Sequence, residues 1–242
     1  MNPSPYPPPP LPPFKSAHVR ARIVKIMLIV AAVVAGLSLV IEGLSFAFPP
    51  LTDDQEVGDN PYGAALMFIT LVDGVLELII YLTTVVCFAA WLYRAYGNLR
   101  VLNPSRPTNY TATMAVGSFF IPFANLIIPY RAVRELWQKS GPPDEGLLSE
   151  PSAPATFPIW WLFWLLASFA GNIAMRASFD ESVPVSNATA ISMVSSVLYI
   201  VAAVFAYLVV DAIDKRQEQT SRMVRLAAFS GPPPPPPANL QF

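Results

Sequence analysis

Three carboxylates, Glu42, Asp73 and Glu77, fall inside stretches of sequence that are otherwise apolar. An ionisable group at membrane depth is costly and needs a partner or a task. Asp73 and Glu77 stand four residues apart, so on a helix they share a face. Two carboxylates so placed in low dielectric do not both ionise, and one retains its proton. That chemistry is a proton or cation site facing a bundle interior; the plainer alternatives are an interhelical polar clamp and an oligomer contact. A helical rise of about 1.5 Å per residue puts Glu42 about 22 Å above an inner boundary near Met27. It puts Arg176 about 24 Å above an inner boundary near Trp160, which predicts a Glu42–Arg176 ion pair. Asp73, about 13 Å below an outer boundary at Ala64, lies near the level of Asn172, which predicts a hydrogen bond.

A second constellation gathers Arg94, Asn98, Arg100, Arg131, Arg134 and Lys139 around an interrupted apolar segment. One reading is topology plus attraction to anionic lipid, at about 1 kcal/mol per basic residue near the surface. The sharper reading is a headgroup or phosphate pocket in which Arg94 and Arg131 make bidentate contacts and Asn98 or Asn125 orients the ligand. Asn125, between Pro122 and Pro129, equally suits the satisfaction of a broken backbone.

Other chemistry is thinly represented. The single cysteine, Cys87, excludes an intramolecular disulfide and reads as a small buried hydrophobe. With one histidine, His18, most zinc and Ser/His chemistry is removed, and no cofactor or metal is expected. The chain has no H-E-x-x-H, G-x-S-x-G, P-loop or G-x-G-x-x-G motif. Basic residues that hug a membrane argue against a nucleic-acid role. Asn187-Ala188-Thr189 fits a glycosylation pattern, read here as coincidence.

The elements that must position these residues follow from composition. Charged residues make up 13% of the chain and hydrophobic ones 54%, too little polar surface for a water-soluble globule of 242 residues. Four apolar stretches, about 24–48, 64–93, 158–178 and 190–212, each exceed the roughly 20 residues that cross a bilayer. Only helices satisfy the backbone there without water. Ser45-Phe46-Ala47 weakly resembles a cleavage site, but the first apolar run is longer than a signal peptide's and reads as a retained anchor. Trp160, Trp161 and Trp164 open the third span, as aromatic residues do at an interface.

A fifth apolar segment, Thr111 to Tyr130, is interrupted by Gly117, Pro122, Asn125 and Pro129. Four spans leave 14 of the 15 Lys and Arg residues on one side, with Arg176 alone opposite; a fifth crossing splits them eight against seven. Positive charge collects on cytoplasmic loops, so four spans are expected, with both termini cytoplasmic. The segment then dips into the inner leaflet or lies along it, followed by a headgroup-level helix over 131–139.

Trp91-Leu92-Tyr93-Arg94-Ala95-Tyr96-Gly97-Asn98-Leu99-Arg100 is followed by Val116-Gly117-Ser118-Phe119-Phe120-Ile121-Pro122-Phe123-Ala124-Asn125-Leu126 and then by Pro129-Tyr130-Arg131-Ala132-Val133-Arg134-Glu135-Leu136-Trp137. This succession resembles the bacterial membrane family known as domain of unknown function 4328, over residues 65–215 and including Asn172 in the tryptophan-rich third span. Ser118 stands where tryptophan or another bulky residue is expected. The resemblance implies a bacterial inner-membrane location and supplies no activity.

The expected architecture is an all-α integral membrane protein: a four-helix transmembrane bundle (23–225) with a re-entrant or interfacial segment, about 111–139, between spans two and three. Proline-rich tails, 1–22 and 226–242, flank it as spacers or as ligands for aromatic-lined protein modules. The expected function is a non-enzymatic scaffold or regulator engaging the lipid bilayer, anionic headgroups or protein partners at the cytoplasmic face. The alternative is a small proton- or cation-coupled transporter or channel, working as a homo-oligomer through Asp73 and Glu77. An interfacial lipid-acting enzyme ranks third.

Overall fold

A computed structural model of the chain describes residues 14–48, 61–142, 145, 150–180 and 182–229. The proline runs and the acidic residues Asp53, Asp54, Glu56 and Asp59 lie outside the described residues. All regular structure among the described residues is helical: α1 (His18–Ala47), α2 (Pro61–Leu102), α3 (Ala112–Gly117), α4 (Ile128–Lys139), α5 (Thr156–Ser178) and α6 (Val185–Phe229). α1, α2, α5 and α6 are long and apolar enough to cross a membrane.

These helices outrun the apolar stretches. α2 has 42 residues and α6 has 45, about 63 and 68 Å of helix against roughly 30 Å of hydrocarbon. Their surplus turns continue past Trp91 and Asp211 because polar side chains there pack on one another at one end of the bundle. α1 packs against α2 and α6, and α6 packs against α5, so α6 stands between α1 and α5. Away from the polar end, large apolar side chains face outward, Phe68, Leu71 and Val86 each about two-thirds exposed. Lipid is the solvent such a surface requires.

Small residues bring the helices together, as they must where apolar burial gives no advantage over lipid. On α5, Ala167 and Ala174 are buried, and a Cβ added at Gly171 would lie 3.2 Å from Ser195 Oγ on α6. Ser195 Oγ in turn donates to the Ala167 carbonyl at 3.3 Å. Gly171→Leu is therefore expected to force α5 off α6 at a cost of about 1–3 kcal/mol. A lowered unfolding midpoint in detergent, with Gly171→Ala close to native, checks it.

Residues 111–127 contain no helix able to cross: α3 has six residues, about 9 Å. Thr111 caps α3 by accepting a 3.1 Å bond from the Met114 amide. Two short 3₁₀ turns, Ser118–Phe120 and Ala124–Leu126, then carry the chain back to α4. Between them the Ala124 amide donates to the Pro122 carbonyl at 2.8 Å, with Phe123 at φ 63°. That is a γ-turn of the strained hand, one that reverses the chain abruptly. α4 starts three residues before the helix expected over 131–139, with Pro129 in its first turn, where the missing amide donor is harmless.

Candidate functional site

The end of the bundle that collects the N-terminus of α1, the C-terminal turns of α2 and α6, and α3, α4 and the start of α5 is built on a buried core. Trp91, Leu92, Val133, Leu136, Phe157, Val209 and Ile213 form its centre. Cys87 packs partly buried against it. The tryptophans that open α5 do not stand at an open interface. Trp160 and Trp161 are buried, Trp161 Nε1 donates to the Leu126 carbonyl at 3.0 Å, and Trp161 stacks on Trp164 at 4.7 Å. The broken segment after α3 covers them.

Within this core lies a polar network. Glu135, buried on α4, sits 2.9 Å from Lys139 Nζ and accepts from the Asn109 amide at 2.7 Å. The Tyr96 hydroxyl lies 3.0 Å from the Glu135 carboxylate and 2.9 Å from the Ala132 carbonyl. Lys139 Nζ also reaches the Pro107 carbonyl. Asn103 Nδ2 donates to the carbonyls of Lys139 and Gly141, both at 2.8 Å. From α6, Gln217 Nε2 donates to the Ala95 carbonyl and to Ser140 Oγ, while Gln217 Oε1 accepts from Asn98. Arg216 lies over the Trp137 ring at 4.0 Å, donates to the Trp137 carbonyl and pairs with Glu145 at 2.7 Å. On the other side of α6, Asp211 pairs with Lys25 and Lys215, and Asp214 with His18.

Burial, then the neighbouring Glu135 charge, raises the Tyr96 pKa above its ordinary 10.0. The folded state thus holds that proton more tightly than the unfolded chain. The stabilisation is complete below about pH 10 and falls as pH rises beyond it. Tyr96→Phe is expected to flatten part of this alkaline loss, read as unfolding midpoint against pH.

Several side chains lie elsewhere than expected. Asn98 is buried and bonded to Gln217 at 3.3 Å, so it holds α2 to α6 instead of orienting a phosphate. Lys139 is likewise engaged by Glu135. The Glu42–Arg176 pair does not form: Glu42 accepts from Ser196 Oγ on α6 at 3.1 Å, and Arg176 is exposed. The two were matched in depth, but α6 separates their helices. Asn172 is also exposed and donates to the Ser168 carbonyl of its own helix, not to Asp73.

Arg100, Arg131 and Arg134 are exposed and Arg94 is half-buried. No carboxylate among the described residues pairs with any of them. Each described acidic residue at this end already has a partner: Glu135, Glu145, Glu150 and Asp211 have Lys or Arg, Asp214 has His18, and Glu218 has Ser16. Arg131 and Arg134 share an exposed face of α4, and Ile127, the exposed residue that precedes the helix, adjoins the exposed apolar tip formed by Phe120, Ile121 and Phe123.

Glu42, Asp73 and Glu77 do come together, near enough to influence one another's charge, with the buried Ser38 beside Glu77. Glu77 lines a cavity of about 430 Å³ among α1, α2, α5 and α6. Asn125 lines two further cavities below it, and its Oδ1 is buried with no partner among the described residues.

Glu135, Gln217, Asn103 and the aspartates of α6 were not singled out by sequence reasoning. Asp211, Asp214 and Gln217 recur every three residues, a spacing that marks a polar stripe on one helical face.

Helix content, outward apolar surface and an inward polar network at one end define a polytopic helical membrane protein. Residues 64–215 match the family described as domain of unknown function (DUF4328), and the chain belongs to it. No curated protein and no solved structure matches the chain.

Proposed function

We propose that this protein is a non-enzymatic membrane scaffold or regulator whose basic end engages anionic lipid headgroups through Arg94, Arg100, Arg131 and Arg134. The observation that carries this reading is the division of charge at that end. Its described carboxylates are engaged by other partners, leaving these guanidinium groups uncompensated beside an apolar tip. Guanidinium groups suit phosphate better than a point charge does, because they donate in a planar fork. In this reading the Phe120–Ile127 tip dips into the inner leaflet. Arg131 and Arg134 then lie about 6 and 10 Å further along α4, the depth of a headgroup layer. The basic end faces the bacterial cytoplasm, both termini with it, and the proline tails reach for protein partners.

Arg131→Ala/Arg134→Ala is expected to weaken retention of phosphatidylglycerol by about 30-fold, at about 1 kcal/mol per residue, with zwitterionic lipid unaffected. Native mass spectrometry from mixed nanodiscs measures it, and equal retention by the double variant overturns the reading.

A second reading, proton- or cation-coupled transport by an oligomer, is favoured by the nearness of Glu42, Asp73 and Glu77, with Glu77 lining a cavity. Asp73→Asn/Glu77→Gln should then abolish pH-dependent flux in proteoliposomes, and unchanged flux removes it.

A further inference from the structure

Between α2 and α5, above their Phe88–Trp160 ring contact at 6.2 Å, runs a cleft backed by α6 and floored by the turn around Asn125. We infer that this cleft binds a ring-headed lipid of the quinol class. Its hydroxylated aromatic head sits at Asn125 and its apolar tail runs up α5 toward Glu77.

The floor specifies a donor. Asn125 lines the cleft, and its Oδ1, buried against protein, has no hydrogen-bond partner among the described residues. An orphaned buried acceptor is destabilising, and a hydroxyl brought by a ligand relieves it. The walls specify a flat ring. Phe88, Phe119, Trp160 and Trp164 surround the lowest cavity with Tyr81 and Tyr199, while Ala202, Ala203 and Ala206 present short side chains from α6. Its volume of about 200 Å³ suits one substituted six-membered ring, since a cavity of about 150 Å³ holds benzene. A saturated acyl chain has no reason to prefer this space, because lipid tails already offer an equally apolar surrounding. A ring gains aromatic contacts that bulk lipid lacks.

The upper cleft specifies a tail. Cavities of about 520 and 430 Å³ continue upward, sharing Tyr81 and Tyr199 with the lowest one. Between Trp164 and Met175 on α5 this path spans about 16 Å. Gly74, Gly171 and Ala35 keep it open. The site is separate from the arginines of α4, so it stands or falls independently of headgroup binding.

The full chain in phosphatidylcholine nanodiscs, kept anaerobic, is titrated with 2-decyl-1,4-benzoquinol and with its dimethyl ether, following tryptophan fluorescence. Saturable quinol binding is expected, with the ether at least about tenfold weaker because it cannot donate to Asn125. Asn125→Leu should erase that difference, and Ala202→Phe, which fills the ring site, should abolish saturable binding of both. Arg131→Ala/Arg134→Ala should leave quinol binding unchanged. Equal affinity of native protein for quinol and ether overturns the assignment, as does undiminished binding by the Ala202→Phe variant.

Discussion

Glu135→Ala is expected to destabilise the protein by about 3–5 kcal/mol, a drop of roughly 10 °C in unfolding midpoint, because it strips the partner from a buried cation. Lys139 and Glu135 are each about nine-tenths buried, and the Asn109 amide and Tyr96 hydroxyl converge on the same carboxylate. Removing Lys139 as well should recover much of the loss. Glu135→Leu/Lys139→Met leaves no uncompensated charge, and a hydrophobic pair of similar volume commonly replaces a buried ion pair at little cost. Thermal unfolding followed by far-UV circular dichroism in detergent separates the two variants. A single variant as stable as native would show that the pair is already solvated. The same network anchors the inner face of α4, so Glu135→Ala should also loosen presentation of Arg131 and Arg134.

Gln217→Leu carries the second large effect, about 2–3 kcal/mol. Gln217 is buried where α6 crosses α2 and the end of α4, and it meets Ala95, Asn98 and Ser140 at once. Leucine there leaves the Asn98 amide without its acceptor. Asn98→Leu should cost a similar amount, and the double variant should cost less than the sum, since both lose one shared bond. Phosphatidylglycerol retention should be unchanged in all three. That outcome separates a motif asparagine that holds helices together from one that binds a headgroup; a selective loss of lipid in Asn98→Leu would reverse the assignment.

The family motif thus has two kinds of residue. Trp91, Asn98, Glu135 and Leu136 point inward and build the polar end of the bundle. Arg131 and Arg134, interleaved with them on α4, point outward. Helical periodicity separates these faces, but sequence alone does not say which face meets protein. Arg94 and Asn98, four residues apart, illustrate this: one is half-buried without an acidic partner and the other is buried in a hydrogen bond.

Much about this protein follows from its sequence alone. Hydrocarbon thickness sets a minimum length for apolar helices, and four stretches meet it; the one-sided distribution of 14 basic residues leaves Thr111–Tyr130 as a broken segment. Those are properties of length, depth and charge, which the chain carries in one dimension. Tertiary structure decided azimuth, meaning which side of each helix faces which neighbour. Depth put Glu42 level with Arg176, yet α6 stands between their helices and offers Ser196 instead. Depth likewise said nothing of Gln217, which lies beyond the apolar stretch and becomes buried because α2, α4 and α6 converge there. Side-chain partners depend on rotation about the helix axis, and only packing sets that rotation.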